Sequence, residues 1–175
     1  MASNGHWLTD LVRDIDDFPT PGVVFRDITP LLGDGDGFGR AINELADRFD
    51  GLRADRVLGM EARGFIIAAP VAYRMGAGFV PVRKAGKLPW AVVREEYSLE
   101  YGRDKLEIHR DAIHPGEQIL VIDDVLATGG TAAATVRLVE ALGGVVIGAG
   151  FLIEIEELEG RARLEGHRVE VLARY

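Results

Sequence analysis

The sequence contains no cysteine among its 175 residues. Disulfide bonds, thiolate metal sites and a cysteine nucleophile are therefore excluded. No apolar run reaches the length of a membrane span, and the N-terminal residues lack the basic start and apolar run of a secretory signal. Since a chain of this length suits one domain, we expect a single globular domain over 1–175, located in the cytoplasm.

Positive charge is in the minority. The 20 basic and 28 acidic residues give a net charge of −8, which argues against a broad surface for nucleic acid or for an anionic membrane. The histidines show no metal-binding spacing, and we interpret them as surface or structural residues: His6, His109, His114 and His167.

One run of the sequence combines a strand, an acidic pair and a glycine turn. The apolar residues 119–122 predict a buried strand, Asp123 and Asp124 follow it, and a helix is predicted over 131–142 after the small residues 127–130. Free backbone N–H groups and the helix dipole make such a turn an anion site, whereas two carboxylates suit the hydroxyls of a neighbouring diol. A phosphate beside a vicinal diol indicates a ribose 5-phosphate. The alternative is a buried strand that ends in a solvated acidic turn.

Apolar strand patterns alternate with helical patterns along the chain. Strands are predicted over 56–60, 79–82, 118–122, 145–153 and 168–172, and helices over 8–15, 37–49, 64–75, 131–142 and 156–164. Such alternation predicts an α/β fold with a parallel sheet covered by helices on both faces. Residues 91–108 form an irregular charged and aromatic stretch with some β character. In such sheets, ligands bind at the carboxyl ends of the strands.

Four basic residues stand near these strand ends in an otherwise acidic protein. Arg63 follows one predicted strand, while Arg83, Lys84 and Lys87 follow the next. Because arginine and lysine bind phosphate groups, the cluster suits a pyrophosphate beside the ribose phosphate. Taken alone, such a cluster is more often a solvated loop.

Two aromatic features each have two interpretations. The segment 97–102 lies in a long connection between strands and suits a lid over a sugar, or a β-hairpin with one buried aromatic face. Phe25 follows a proline-stiffened segment and suits stacking on a base, or ordinary core packing.

Together, these segments resemble the type I phosphoribosyltransferases and, within them, the adenine-specific family. The resemblance covers roughly residues 18–155. The run 119–131 is similar to the signature with which type I members bind phosphoribosyl diphosphate (PRPP), while 18–28 and 97–102 are similar to the adenine-specific members. Further similar segments are 62–65, 83–89 and 106–108.

The resemblance implies a reaction and an architecture. Adenine and PRPP would give AMP and pyrophosphate, with Mg²⁺ bound mainly through PRPP oxygens and water rather than by a protein metal site. The twisted parallel sheet of this family would carry a small N-terminal hood over about residues 1–35, a flexible lid over about 88–110, and a homodimer interface.

The resemblance also implies how adenine is held. The implied residues are Val24, Phe25, Arg26 and Leu126. Phe25 would stack on the base, while the Arg26 main chain would accept from the 6-amino group and donate to N1. A 6-oxo purine would then place an acceptor against the carbonyl, and such buried mismatches can discriminate by about 10⁴.

The remaining implied roles concern PRPP and the chemistry. PRPP would be bound by Arg63, Arg83, Lys84, Lys87, Tyr101, Asp123, Asp124, Ala127, Thr128, Gly129, Gly130 and Thr131. Catalytic roles are implied for Arg63, Glu100, Asp123 and Asp124. Glu100 would be the acid near N7 of the base, and the two aspartates would stabilise the cationic sugar. Arg83 would act either in its own site or in that of a partner subunit.

Two rival functions stay open at this point. One is a phosphoribosyltransferase for another base, such as hypoxanthine, xanthine or orotate. The other is a non-catalytic regulator that binds PRPP as a signal. The residues 24–26 argue against the first, and the lack of a basic nucleic-acid-binding element argues against the second.

Overall fold

The computed structural model describes residues 6–98 and 103–175. Its strands are β1 (Arg13–Ile15), β2 (Phe25–Asp27), β3 (Arg56–Met60), β4 (Gly78–Lys84), β5 (Val92–Ser98), β6 (Arg103–His109), β7 (Gln118–Leu126), β8 (Val145–Glu154) and β9 (Val169–Arg174). Its helices are α1 (His6–Thr9), α2 (Thr29–Gly33), α3 (Gly35–Asp47), α4 (Arg63–Met75) and α5 (Gly130–Ala141), with 3₁₀ helices at Glu156–Leu158 and Gly160–Leu164. In this part of the chain, no helix is long and apolar enough to cross a membrane.

The main sheet is parallel at its centre. Its strand order is β5-β6-β4-β3-β7-β8-β9, and the five strands from β4 to β9 in this order are parallel. Strands β5 and β6 form an antiparallel hairpin that joins the sheet at β4. The predicted α/β class is confirmed, and the stretch predicted to be irregular is this hairpin, whose Leu106 and Ile108 enter the core.

Helices cover both faces of the sheet. Val57 of β3 joins a core formed with α3 and α4 on one face. Its neighbour Leu58 joins a second core, formed with α5 on the other face, because successive side chains of a strand point to opposite faces. The predicted covering by helices on both faces is confirmed.

The helix predicted over 8–15 is wrong beyond its first turn. Helix α1 ends at Thr9, and Arg13–Ile15 instead forms β1, which pairs antiparallel with β2. The pairing is supported by an ion pair between Asp14 and Arg26, which lie opposite each other in the ladder. Pairing with β2 thus replaces the helical conformation that the local pattern predicts for these residues.

Several predicted boundaries also move. Helix α3 begins at Gly35, two residues before its predicted start, because Asp34 caps it and accepts a hydrogen bond from the Gly37 N–H at 2.6 Å. Strand β7 continues through Leu126, paired along its length with β8. The acidic pair therefore lies inside a strand and not in the turn that follows it.

Candidate active site

The carboxyl ends of β3, β4 and β7 open onto one cavity of about 460 Å³. Its wall includes Glu61 and Arg63 after β3, Lys84 at the end of β4, and Asp123 and Asp124 in β7. These residues come together because the three strands are parallel neighbours. The acidic pair and two of the four basic residues highlighted by the sequence thus share one cavity.

The acidic pair is tightly packed. Asp124 is 5% exposed, and its Oδ2 lies 2.6 Å from Arg63 Nε. The Asp124 N–H donates to Asp123 Oδ1 at 2.9 Å. Burial, followed by the charge of Asp124, raises the pKa of Asp123 well above its usual range. A Cβ at Gly64 would stand 2.4 Å from Asp123 Oδ1, so a glycine is required there to leave room for the carboxylate.

The turn between β7 and α5 lines a smaller cavity of about 70 Å³. Gly129 is the N-cap of α5, with φ +74°, and no side chain caps the helix. The first N–H groups of a helix have no partner within it, so the start of α5 offers donors and a positive dipole end to an anion. All five turn residues that the resemblance implies for PRPP line this cavity: Ala127, Thr128, Gly129, Gly130 and Thr131.

A second chain segment supports this turn from outside. A Cβ at Gly129 would stand 2.3 Å from the Gly160 carbonyl oxygen, and a Cβ at Gly160 would stand 2.0 Å from the Ala127 carbonyl oxygen. The two backbones are therefore in contact, with no space for side chains between them. The segment that carries Gly160 is also joined to the end of β8, since Glu154 accepts two hydrogen bonds from Arg161, at 3.0 and 2.7 Å.

The opposite side of the larger cavity is apolar and aromatic. Val23, Val24 and Phe25 line it. The Phe25 ring lies edge-to-face with Phe18 at 5.2 Å between centroids, and the Arg63 guanidinium lies 5.0 Å from its centre. These contacts hold the ring of Phe25 at the cavity wall.

Two residues that the resemblance implies for adenine lie at different cavities: Arg26 lines the larger one, and Leu126 lines the smaller one. The Arg26 side chain pairs with Asp14 and stacks on Tyr175, 4.3 Å from the ring centre, so its guanidinium is engaged outside the cavity. Leu126 is 1% exposed in the core and lines only the smaller cavity. Val125 is its neighbour in the wall of the larger cavity.

The basic residues at the end of β4 and just after it are held by carboxylates. Glu61 accepts from Arg83 Nε at 3.1 Å, from the Lys84 N–H at 3.2 Å and from Lys87 Nζ. Burial would raise the pKa of Glu61, but these hydrogen bonds outweigh it and lower the pKa. Lys84 Nζ lies 3.2 Å from Asp104 Oδ2, and this hydrogen-bonded pair raises the pKa of Lys84.

The proposed lid residues Glu100 and Tyr101 lie outside the described residues. The hairpin strands that flank them bring Tyr97 and Leu106 into the wall of the larger cavity. Tyr97 is buried and donates to Asp104 Oδ2 at 3.3 Å. Burial is the main cause of its raised pKa.

Sequence reasoning missed several members of the cavity wall. No local sequence pattern distinguishes Glu61 from a solvated surface carboxylate. Its position directly after a buried strand is the one feature that could have indicated a place in the site. Ile155 and Leu158 also line the cavity, but they follow β8, whose strand end sequence reasoning had not connected with the site.

Comparison with known proteins identifies the class. The family model of the phosphoribosyl transferase domain matches residues 32–173. A curated adenine phosphoribosyltransferase from Roseiflexus castenholzii is 54% identical over 168 residues, covering 96% of this chain and 98% of the relative.

Solved structures agree with this assignment. The adenine phosphoribosyltransferase of Thermoanaerobacter pseudethanolicus matches with a TM-score of 0.96 at 46% identity, covering 98% of this chain and 100% of that one. The Saccharomyces cerevisiae enzyme, complexed with an imino-altritol bisphosphate and adenine, matches with a TM-score of 0.91 at 36% identity, covering 98% and 99%. This chain belongs to the adenine phosphoribosyltransferase family. The predicted family and the predicted phosphoribosyltransferase activity, which is a pentosyltransferase activity, are confirmed.

The contact between Gly129 and Gly160 makes a testable prediction about stability. Gly129→Ala should lower the free energy of unfolding more than Gly51→Ala does. Both glycines have positive φ, +74° and +81°, where alanine costs about 1–2 kcal/mol. A Cβ at Gly51 would meet open space, whereas one at Gly129 would meet the Gly160 carbonyl. We expect urea unfolding to show a further loss of at least about 1 kcal/mol at Gly129. Equal losses would contradict the close packing of the turn.

Proposed function

We propose that this site transfers the 5-phosphoribosyl group of PRPP to adenine, forming AMP and releasing pyrophosphate. The proposal is carried by one observation. An acidic pair, an anion-binding turn and the ring of Phe25 line two cavities that share wall residues, among them Asp123 and Thr131. The bound adenine named for the yeast relative supports the choice of base.

The ribose 5-phosphate of PRPP would bind between the turn and the acidic pair. The N–H groups at the start of α5 and the hydroxyls of Thr128 and Thr131 would hold the 5-phosphate. Asp123 and Asp124 would accept hydrogen bonds from the 2- and 3-hydroxyls of the ribose. In support, Asp124 Oδ2 is buried and accepts no well-aligned hydrogen bond from the described residues, despite its short ionic contact with Arg63.

The pyrophosphate of PRPP would bind the cations after β3 and β4. These are Arg63, Arg83, Lys84 and Lys87. Arg63 and Lys84 line the larger cavity directly. Arg83 and Lys87 are linked to it indirectly, because each forms an ion pair with Glu61, which lines the cavity. The hydrogen bond that Arg83 donates to the Lys87 carbonyl at 3.2 Å supports a role in its own chain's site rather than in that of a partner subunit.

Adenine would lie against Phe25 and Val24, with its polar edge at the Arg26 main chain. The engagement of the Arg26 side chain with Asp14 and Tyr175 supports this assignment, because it leaves the main chain as the part of Arg26 at the cavity. Leu126 would contribute through the support it gives to the turn rather than through direct contact with the base.

The chemistry then depends on positioning and charge. The bond between C1 of the ribose and pyrophosphate breaks as N9 of adenine attacks C1, through a sugar with oxocarbenium character. Asp123 and Asp124 would stabilise this positive charge, and Arg63 would stabilise the departing anion. Holding both reactants in one cavity removes much of the entropic barrier. Glu100, near N7, would accept the proton that adenine loses as N9 attacks, and would be the acid at N7 in the reverse direction; with Tyr101 beside it, it would exclude water.

Magnesium fits this site as a partner of PRPP rather than of the protein alone. Asp123 and Asp124 give the cavity oxygen ligands of the type that Mg²⁺ accepts. Within the described residues, no group of three or more acidic, histidine or cysteine side chains forms a metal site. We propose that PRPP oxygens and water supply most ligands, and that the ion neutralises the leaving pyrophosphate when bound. The hood, the lid and the cytoplasmic location stay predictions.

The activity can be tested with a panel of bases. We expect absorbance-monitored turnover of adenine with PRPP and Mg²⁺, and at least about 10³-fold lower kcat/KM for hypoxanthine, guanine and orotate. Chelation of Mg²⁺ should abolish turnover. Consumption of another base instead would overturn the adenine assignment, and PRPP binding without turnover of any base would favour a PRPP-sensing regulator.

Asp123→Asn should change stability and affinity in opposite directions. Because the pKa of Asp123 is raised in the folded chain, its ionised form destabilises that state above the unfolded pKa of about 4. Neutral asparagine should therefore raise the free energy of unfolding at pH 7, with little gain below pH 4. PRPP binding should weaken about tenfold or more, because a charged acceptor is lost. Unfolding curves and PRPP calorimetry measure the two effects, and unchanged PRPP affinity would contradict the diol role.

We propose that the chain forms a homodimer through the outer face of α4. Ile66 and Tyr73 lie seven residues apart on this helix and are exposed, Tyr73 by 89%, and Phe79 of β4 is exposed beside Phe65. Such apolar side chains on one face suit a protein interface. Sedimentation should give twice the chain mass of 19.0 kDa, and Tyr73→Asp should shift the protein towards monomer. A wild-type monomer at micromolar concentration would refute the dimer.

A further inference from the structure

The basic residues proposed to bind pyrophosphate each face a carboxylate of their own chain. The pairs are Arg63 with Asp124, Lys84 with Asp104, and Arg83 and Lys87 with Glu61. An incoming anion therefore meets cations whose charge is already compensated. To bind them fully, it must share or replace these internal partners.

Glu61 is the most engaged of these carboxylates. Its side chain is 10% exposed and accepts from two basic side chains and one main-chain N–H, all of which follow or end β4. Glu61 itself follows β3, so it joins the ends of two neighbouring strands. Its lowered pKa keeps it ionised at neutral pH.

We propose that Glu61 is a positioning residue that acts as an internal counter-anion for the pyrophosphate subsite. Glu61 lines the cavity and holds Arg83 and Lys87 beside it, and it competes with pyrophosphate for their charge. This inference rests on the proposed function, in which these cations bind pyrophosphate. Glu61 would thus weaken the binding of pyrophosphate and favour the release of this product.

The position of the cations supports competition over a merely structural role. The side chains of Arg83 and Lys87 are 34% and 47% exposed, and the turn residues Ala85 and Gly86 are exposed as well. The turn therefore does not depend on Glu61 to fill a core. By contrast, the buried carboxylate of Glu107 fastens the same turn, accepting from the Gly86 N–H at 2.8 Å and from Arg94 Nε at 2.7 Å.

The size of the effect follows from Coulomb's law. Pyrophosphate bound to Arg83 and Lys87 would lie within a few ångströms of the Glu61 carboxylate, because all of them share the same cations. Removing one negative charge at such a distance, in a partly screened site, should strengthen anion binding by about tenfold. Because the effect is electrostatic, it should shrink at high salt.

The test uses the full chain with inorganic pyrophosphate and Mg²⁺ as the probe. Glu61→Gln keeps the shape and one acceptor oxygen but removes the charge, and it should lower the Kd for pyrophosphate in calorimetry about tenfold. Product inhibition by pyrophosphate should strengthen in parallel, while KM for adenine stays within about twofold. Glu61→Asp keeps the charge and should restore weaker binding.

Glu117→Gln provides a matched control. Glu117 also accepts from an arginine and from one main-chain N–H, those of Arg56 and His114. It lies at the opposite end of the sheet, where β3 and β7 begin. Its neutralisation should leave pyrophosphate affinity unchanged within about twofold, because the distance exceeds the screening length.

The outcomes separate the inference from the function beneath it. Tighter binding in Glu61→Gln but not in Glu117→Gln would support the counter-anion role. Weaker or unchanged binding in Glu61→Gln would overturn it, including the case in which only the thermal stability falls. If the wild-type chain bound no pyrophosphate at all, the proposed pyrophosphate subsite itself would be wrong.

Discussion

The parallel registers of β3 with β4 and with β7 are the constraint on which the site depends. Met60 lies opposite Val82, and Gly59 lies opposite Ile122, so the residues that follow these strands emerge at one edge. A slip of one residue in a ladder would turn every side chain of that strand to the other face. The two cores prevent this, since they bury alternate residues of the central strands on opposite sides.

The centre of the fold could be predicted from the sequence because its strands are buried on both faces. Such strands are continuous apolar runs, like that of 119–122. The edges were harder to predict. The hairpin strands β5 and β6 carry many charged residues, and β1 owes its conformation to β2, whose paired residues lie 10 to 14 positions further along the chain. Local pattern carries no information about such distant partners.

The same division holds within the site. The residue types that suit phosphate, diol and base could be identified from short segments, because each chemistry needs particular donors and acceptors. The residues that pair with these site residues could not be identified in this way. Which carboxylate faces Lys84, for example, depends on the hairpin that places Asp104 beside it. Which charged residues pair at the sheet edge depends on strand order and register, so the pairs can be identified only when both are known.

The contact between Gly129 and Gly160 has a consequence for redesign. It joins two backbones directly, so the turn before α5 has no adjustable side chain at this point. The segment that carries Gly160 follows Leu158, which lines the larger cavity and is itself exposed. The shape of the larger cavity can therefore be changed at Leu158 by replacing a side chain alone. Insertions or deletions between Leu158 and Gly160 would instead displace the turn that lines the smaller cavity, and a library that varies Leu158 should keep this spacing constant.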